Sequence, residues 1–161
     1  PVIGKRNLVL AGAILTMVAQ LTLLAVPANP AFVAAVAAIR GIGKAPLFGC
    51  VFTMMADVVN YGHWKTGVRV QALIFSAATV GQKFGGGITG AIIGQLMDKS
   101  GFTGLAQEIP SAVAMVENLY IWGTVFAWAI IIALMLAYKL EKNYDDMIRD
   151  MENKGMLKQA D

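Results

Sequence analysis

Long apolar stretches separated by short polar ones set the pattern of this 161-residue chain. A helix crossing the hydrocarbon of a bilayer needs roughly 20 mostly apolar residues. Four stretches reach that length, at about residues 7–26, 31–60, 70–97 and 118–138. The first carries no charge, and Pro27, Asn29 and Pro30 predict a tight turn after it. The second is interrupted by Arg40, Lys44 and Pro46, and a polar loop is expected over 61–67. The third carries a single charge, Lys83. A longer polar connection containing Gly101, Gly104 and Pro110 leads to the fourth. In the charged tail, 139–161, the apolar residues Leu140, Tyr144, Met147, Ile148 and Met151 recur at helical spacing and predict a short amphipathic helix. No stretch alternates with period 2, which excludes a membrane β-barrel. The first stretch is too long for a secretory signal and has no A-x-A cleavage site. The expected fold is therefore all-α and membrane-integral, with four transmembrane helices.

Composition agrees. Hydrophobic residues make up 57% of the chain and charged residues 14%, against about 45–50% and about 25% in soluble domains. A net charge of +3 is too small and too scattered for a phosphate-binding patch, so no nucleic-acid partner is expected. A single cysteine, Cys50, excludes a disulfide framework, and a single histidine, His63, excludes a His-pair metal motif. No Ser-His-Asp set, phosphate loop or carboxylate pair can be assembled, so no enzyme and no cofactor are expected. The start at Pro1 rather than Met is what a piece of a longer protein shows.

Lysine and arginine in the connections set the orientation. One side holds Lys5, Arg6, Lys65, Arg69, Lys139, Lys142, Arg149, Lys154 and Lys158; the other holds Lys99 among Asp98, Glu108 and Glu117. The first side reads as cytoplasmic, and both ends of the chain lie on it. Tyr120 and Trp122 at one end of the last stretch, and Tyr138 at the other, fit aromatic belts.

Charges inside the spans carry the functional signal, because each costs about 2.5–3.5 kcal/mol on insertion scales. Lys83 is about 13 residues, roughly 20 Å, from either end of its span. That is too far for its side chain to reach the interface, so it must face protein, water or a carboxylate. Ser76, Thr79, Gly86, Gly87, Gly90 and Gly94 fall on its helical face. Gly86, Gly90 and Gly94 also form a small-xxx-small ladder that lets another helix approach closely. Arg40 and Lys44 lie one turn apart in the outer half of the second span, beside Pro46, which predicts a kink. Arg40 is placed either to reach outward or to face a cavity. The single carboxylate inside a span, Asp57, sits near the cytoplasmic end. The balancing anions belong either to helices outside this chain or to an anionic ligand.

The run Ala56-Asp57-Val58-Val59-Asn60-Tyr61-Gly62-His63-Trp64-Lys65-Thr66-Gly67-Val68-Arg69 resembles the signature A-D-x-x-D-Y-G-E-W-K-T-G-x-R. That signature marks the glycoside–pentoside–hexuronide:cation symporters, the group within the major facilitator superfamily that includes the melibiose permease. Phe75-Ser76, Gln82-Lys83-Phe84-Gly85-Gly86, Arg40-Gly41-Ile42-Gly43 and Tyr144 extend the resemblance over nearly the whole chain. It implies spans nine to twelve of a twelve-span transporter, with the motif between spans ten and eleven. It implies that Lys83 lies near the sugar and cation sites beside acidic residues of the N-terminal half. It places Thr79 by a Na⁺ site and puts Phe48 where a tryptophan neighbours the sugar. Asn60, His63 and Gln71 stand where the family carries Asp, Glu and commonly Glu, each removing a negative charge near the cytoplasmic gate. Asp57, Lys65 and Arg69 remain to pair there.

The function expected on this basis is secondary transport of a sugar or glycoside, somewhat favouring a hexuronide, coupled to Na⁺ or H⁺ by alternating access. The partners would be the lipid bilayer, the missing N-terminal helices and a small sugar, in the cytoplasmic membrane. The alternatives are a superfamily relative moving lipid or another non-sugar solute, and a self-contained four-span assembly protein.

Overall fold

The computed structural model describes residues 4–25, 29–104, 109–140 and 144–154. Pro27, Glu108, Lys142 and Lys158 of the expectations above lie outside them. The described elements are helices: α1 (Lys5–Leu21) with a 3₁₀ turn (Thr22–Leu24), α2 (Pro30–Thr66), α3 (Gln71–Lys99), α4 (Pro110–Asn118), a π-helical turn (Leu119–Gly123), α5 (Thr124–Ala137) and α6 (Tyr144–Asn153). No strand occurs among the described residues.

The boundaries of α2 have local causes. Asn29 caps its start, the side chain accepting from Ala31 N (3.0 Å) and Phe32 N (3.3 Å). Pro30 occupies the first turn, where a missing N–H costs nothing. Gly67 ends the helix in the left-handed region at φ 71°, its N–H donating to the His63 carbonyl at 2.8 Å. Between these caps run 37 residues, about 55 Å at 1.5 Å per residue. The loop expected over 61–67 is instead the last turns of α2. Nothing before Gly67 forces a stop, and Gly62 in a helix interior costs only about 1 kcal/mol. Pro46 does not interrupt the helix either.

Three helical rods are long and apolar enough to cross a membrane: Lys5–Leu24, Pro30–Thr66, and Pro110–Ala137, which joins α4, the π turn and α5. The last begins eight residues earlier than the expected 118 (118 − 110 = 8), because Pro110 starts a helix that already contains Glu117. The third expected span, α3, has the length, at 29 residues. Its Gln71, Gln82, Lys83 and glycines dilute its apolar character below that of the other three.

α1 is the centre of the bundle and packs on both α2 and α5. It buries Val9, Gly12, Ala13, Thr16, Ala19 and Gln20. Ala19, Leu23 and Val36 form a small apolar cluster, with Phe32, Val33 and Ile121 packed against it. Backbones come closest where Gly12 faces Gly43. A Cβ on Gly43 would collide with Thr16 Oγ1 and lie 2.9 Å from the Gly12 carbonyl oxygen. A Cβ on Gly12 would collide with the Gly43 carbonyl and lie 3.2 Å from the Pro46 ring. Thr16, fully buried, donates its hydroxyl proton to the Gly12 carbonyl at 2.8 Å. Pro46 is therefore part of a helix crossing. The ladder Gly86, Gly90 and Gly94 on α3, by contrast, has nothing within 4 Å of where a Cβ would stand. None of the α3 residues is buried, and every residue from 76 to 95 is exposed.

Gly43→Ala in the transporter carrying this chain should destabilise the bundle by about 1–3 kcal/mol, the cost of overpacking a tight contact. A thermal unfolding midpoint in detergent equal to that of the parent would show that the crossing yields freely.

Candidate functional site

The candidate residues separate into three places. The first is the face of α3. Lys83 borders an open groove whose lining, Lys83, Phe84, Gly87, Ile88 and Ala91, comes entirely from α3. No hydrogen bond or ion pair joins Lys83 to another described residue. Thr79, one turn away, donates to the Phe75 carbonyl at 2.9 Å. That bond uses its proton and leaves an oxygen lone pair available on the same face. Phe48 and Lys44 are on α2, one turn apart; Phe48 is 71% exposed and Lys44 half-buried. Neither contributes to the groove beside Lys83.

The second place is the end of the α1–α2 pair nearer their connection, and it claims Arg40. This side chain is 8% exposed. Its Nη1 donates to the Tyr120 hydroxyl at 2.7 Å, and the guanidinium lies 5.1 Å from the centre of the same ring. Tyr120 sits in the π turn. Its backbone carbonyl accepts from Gln20 Nε2 at 2.8 Å. One residue thus ties α1 and α2 to the rod Pro110–Ala137. Of the two placements open to Arg40, the structure shows neither a reach outward nor a free face on a cavity: the guanidinium is locked inside the bundle. Arg40 Nε and Gln20 Oε1 are buried without a partner, so this clasp is already short of hydrogen bonds. Tyr120, expected only in an aromatic belt, bonds Arg40 and Gln20, and no role was expected of Gln20. An amide inside an otherwise apolar span was the available signal for Gln20.

The third place is the end that carries both chain termini. Asp57, Lys65 and Arg69, expected to pair, do not. Asp57 is held by Lys5, with Nζ to Oδ2 at 2.7 Å. Lys5 also lies 5.3 Å from the centre of the Tyr144 ring. Lys65 extends over Tyr61 and Trp64, at 6.0 and 5.2 Å from the ring centres. Arg69 is exposed in the connection before α3. The reason lies in α2: because it continues as a helix to Thr66, Asp57 and Lys65 are two turns apart and Arg69 is beyond its end. The motif instead docks the tail. Asn60 Nδ2 donates to the Tyr144 hydroxyl at 3.3 Å, and Trp64 Nε1 donates to Asp150 Oδ2 at 2.6 Å. Met147 and Met151 of α6 are buried, as their helical spacing predicted. Arg6 completes this end, donating to the Met135 and Leu136 carbonyls at 2.8 and 3.1 Å. The Leu136 carbonyl is among those that the end of α5 leaves without a helical partner, and the Met135 carbonyl also accepts from the Tyr138 N–H at 3.3 Å.

Among the described residues no group of three His, Cys, Asp or Glu side chains could hold a metal ion. The model of one protein family, described as MFS/sugar transport protein, matches residues 2–142. The chain belongs to this family. The resemblance carried by the 56–69 motif therefore holds, and the MFS/sugar transport family consists of multi-pass membrane transporters rather than enzymes. The chain is 31% identical over 160 residues to an isoprimeverose transporter of Lactiplantibacillus pentosus, covering 98% of this chain and 33% of that protein. It is 27% identical to an uncharacterized symporter of Bacillus subtilis (strain 168), over 96% of this chain and 34% of the relative. It is 26% identical to a glucuronide carrier protein homolog of Escherichia coli (strain K12), over 98% of this chain and 35% of the relative. The chain thus spans about a third of the length of these family members. No solved structure matches it.

Two outcomes are expected at these clasps. Tyr120→Phe leaves a second donor of buried Arg40 without an acceptor and should cost about 1.5–3 kcal/mol, read as a lower unfolding midpoint; an unchanged midpoint argues against the clasp. At the other end, hydrogen bonds from Lys154 and then from the Trp64 indole hold the Asp150 carboxyl below the usual carboxylate range. A pKa lowered in the docked state stabilises docking above the usual value, about 3.9, and the gain is lost as pH falls through the lowered value. The protection factors of the amides in 144–153 should hold from about pH 5 to 8 and fall only below about pH 4. Trp64→Phe should lower them at neutral pH.

Proposed function

We propose that the transporter to which this chain contributes moves a sugar or glycoside together with Na⁺ or H⁺ by alternating access. Substrate would sit near the bilayer midplane between two helical halves. The observation that carries this reading is the state of α3. In a family of sugar transporters about three times as long as this chain, the polar and glycine-rich face around Lys83 lies unburied along its length. A lysine at that depth demands a counter-charge. The carboxylate closest to serving within the spans, Asp57, is engaged by Lys5. The partners of Lys83 are therefore carboxylates on the transporter's other helices. The coupling ion binds among those carboxylates, with the Thr79 oxygen as a neutral ligand, and its occupancy holds or releases Lys83. Phe48 offers an exposed ring for the apolar face of a sugar. Gly86, Gly90 and Gly94 let a helix of the other half come close.

Both ends of the chain face the cytoplasm in this reading, since Lys5, Arg6, Lys65, Arg69 and Lys139 gather at one end. The Asp57–Lys5 pair and the docked tail, rather than a trio of Asp57, Lys65 and Arg69, stiffen the cytoplasmic side. An anionic sugar is a second reading, favoured by Lys44 and Lys83 and by likeness to a glucuronide carrier homolog. Its support is narrower than the sequence suggested, because Arg40 is committed to Tyr120. A self-contained assembly protein is disfavoured, since α3 buries nothing in this chain.

Lys83→Ala in the full-length transporter should lower gradient-driven glycoside uptake by about 10- to 150-fold, the scale of one charge-assisted contact. Uptake at the parental rate under an imposed Na⁺ or H⁺ gradient would sink the proposal. Stronger competition by a uronide than by the matching neutral glycoside would select the anionic reading.

A further inference from the structure

Beside the docked tail lies an open-sided cavity to which the proposed transport mechanism assigns no role. It holds about 400 Å³ and is lined by Tyr61, Trp64, Lys65, Lys139, Leu140 and Met147. Its depth is set by the helices around it. The apolar rod of α5 stops at Ala137, so Lys139 and Leu140 follow directly at headgroup level. Tyr61, Trp64 and Lys65 belong to the last turns of α2, whose length of about 55 Å exceeds the ~40–45 Å of a whole bilayer. Tyrosine and tryptophan concentrate at this depth.

The charge of the cavity is one-sided. Lys65 and Lys139 have no carboxylate partner among the described residues. Asp150, held beside the cavity by Trp64, is already neutralised by Lys154, Nζ to Oδ2 at 2.6 Å. The Lys65 ammonium is steadied over the Tyr61 and Trp64 rings. Leu140 and Met147 add apolar lining. Two ammonium groups with no carboxylate partner among the described residues, two interfacial rings and apolar lining suit a monovalent phosphodiester that carries hydrocarbon.

We propose that this cavity binds the headgroup phosphate of an anionic phospholipid, with Lys65 and Lys139 on the phosphate and Leu140 and Met147 against the first carbons of the lipid. The site depends on the chain being in a membrane, which the family establishes. Only the naming of the leaflet as cytoplasmic rests on the orientation proposed above. A lipid seated here would bridge α2, the end of α5 and α6, and so reinforce the docked tail.

The test uses the intact transporter, purified and delipidated, then titrated with phosphatidylglycerol and read by native mass spectrometry. The parent should retain one phosphatidylglycerol in preference to phosphatidylcholine. The double variant Lys65→Gln/Lys139→Gln should bind it about 30-fold more weakly, the combined effect of two interfacial lysines. Should that variant fail to fold, Lys139→Glu alone, at an exposed position, should produce the same loss. Retention at the parental level in a folded variant overturns the site. Displacement of phosphatidylglycerol by millimolar inorganic phosphate would mean a free phosphate is the ligand and overturns the lipid assignment. The readout is binding, so failure of the transport proposal leaves it standing and the reverse also holds.

Discussion

Helices in lipid gain nothing from hiding apolar surface against each other, since lipid tails are as apolar as leucine. Contact has to come from close backbone approach and from polar groups that find partners. Gly12 against Gly43 supplies the first, and the polar clasps follow from the register it sets. With α1 and α2 antiparallel and touching at that pair, Lys5 stands opposite Asp57 at one end, and Gln20 stands level with Arg40 at the other. Thr16 fills the remaining space and satisfies its own hydroxyl on the Gly12 carbonyl. A side chain at either glycine would push the helices apart and cost both clasps at once.

The Tyr120 clasp and the clasp around the docked tail differ in kind. In the first, a π turn presents the ring hydroxyl and the backbone carbonyl of Tyr120 to two different helices. A π turn frees backbone groups from the regular ladder, and such turns recur at functional positions. In the second, the bonds are spread over the surface of a long helix: Asp57 holds Lys5, Asn60 holds Tyr144 and Trp64 holds Asp150. The first arrangement buries Arg40 and Gln20, while Tyr120 itself stays 41% exposed. The second is sensitive to protonation at Asp150.

α3 is the counterpart of this bundle. A mid-membrane ammonium, a hydroxyl and a ladder of glycines lie on a helix that buries nothing within the chain. Such a face is stable in a bilayer only when other helices cover it and supply negative charge. The chain spans about a third of its relatives, and α3 shows where the remainder has to bind. The proposed transport function puts the substrate site at that junction.

Periodicity and composition alone determined a great deal: an all-helical membrane protein, its apolar stretches, the amphipathic tail and the isolation of Lys83. These are properties of single helices, fixed by local hydrophobic pattern, capping residues and the cost of charge in lipid. The 56–69 motif pointed to the family for the same reason, being contiguous. What the chain could not announce was pairing. That Arg40 serves Tyr120, that Asp57 serves Lys5 rather than Lys65 and Arg69, and that Gly12 and Gly43 rather than the α3 ladder form the close crossing depended on helix register and on where α2 ends. Those are relations between residues 31 to 80 positions apart in sequence, such as Gly12 with Gly43 and Arg40 with Tyr120. Only the packed structure brings such residues within hydrogen-bonding distance.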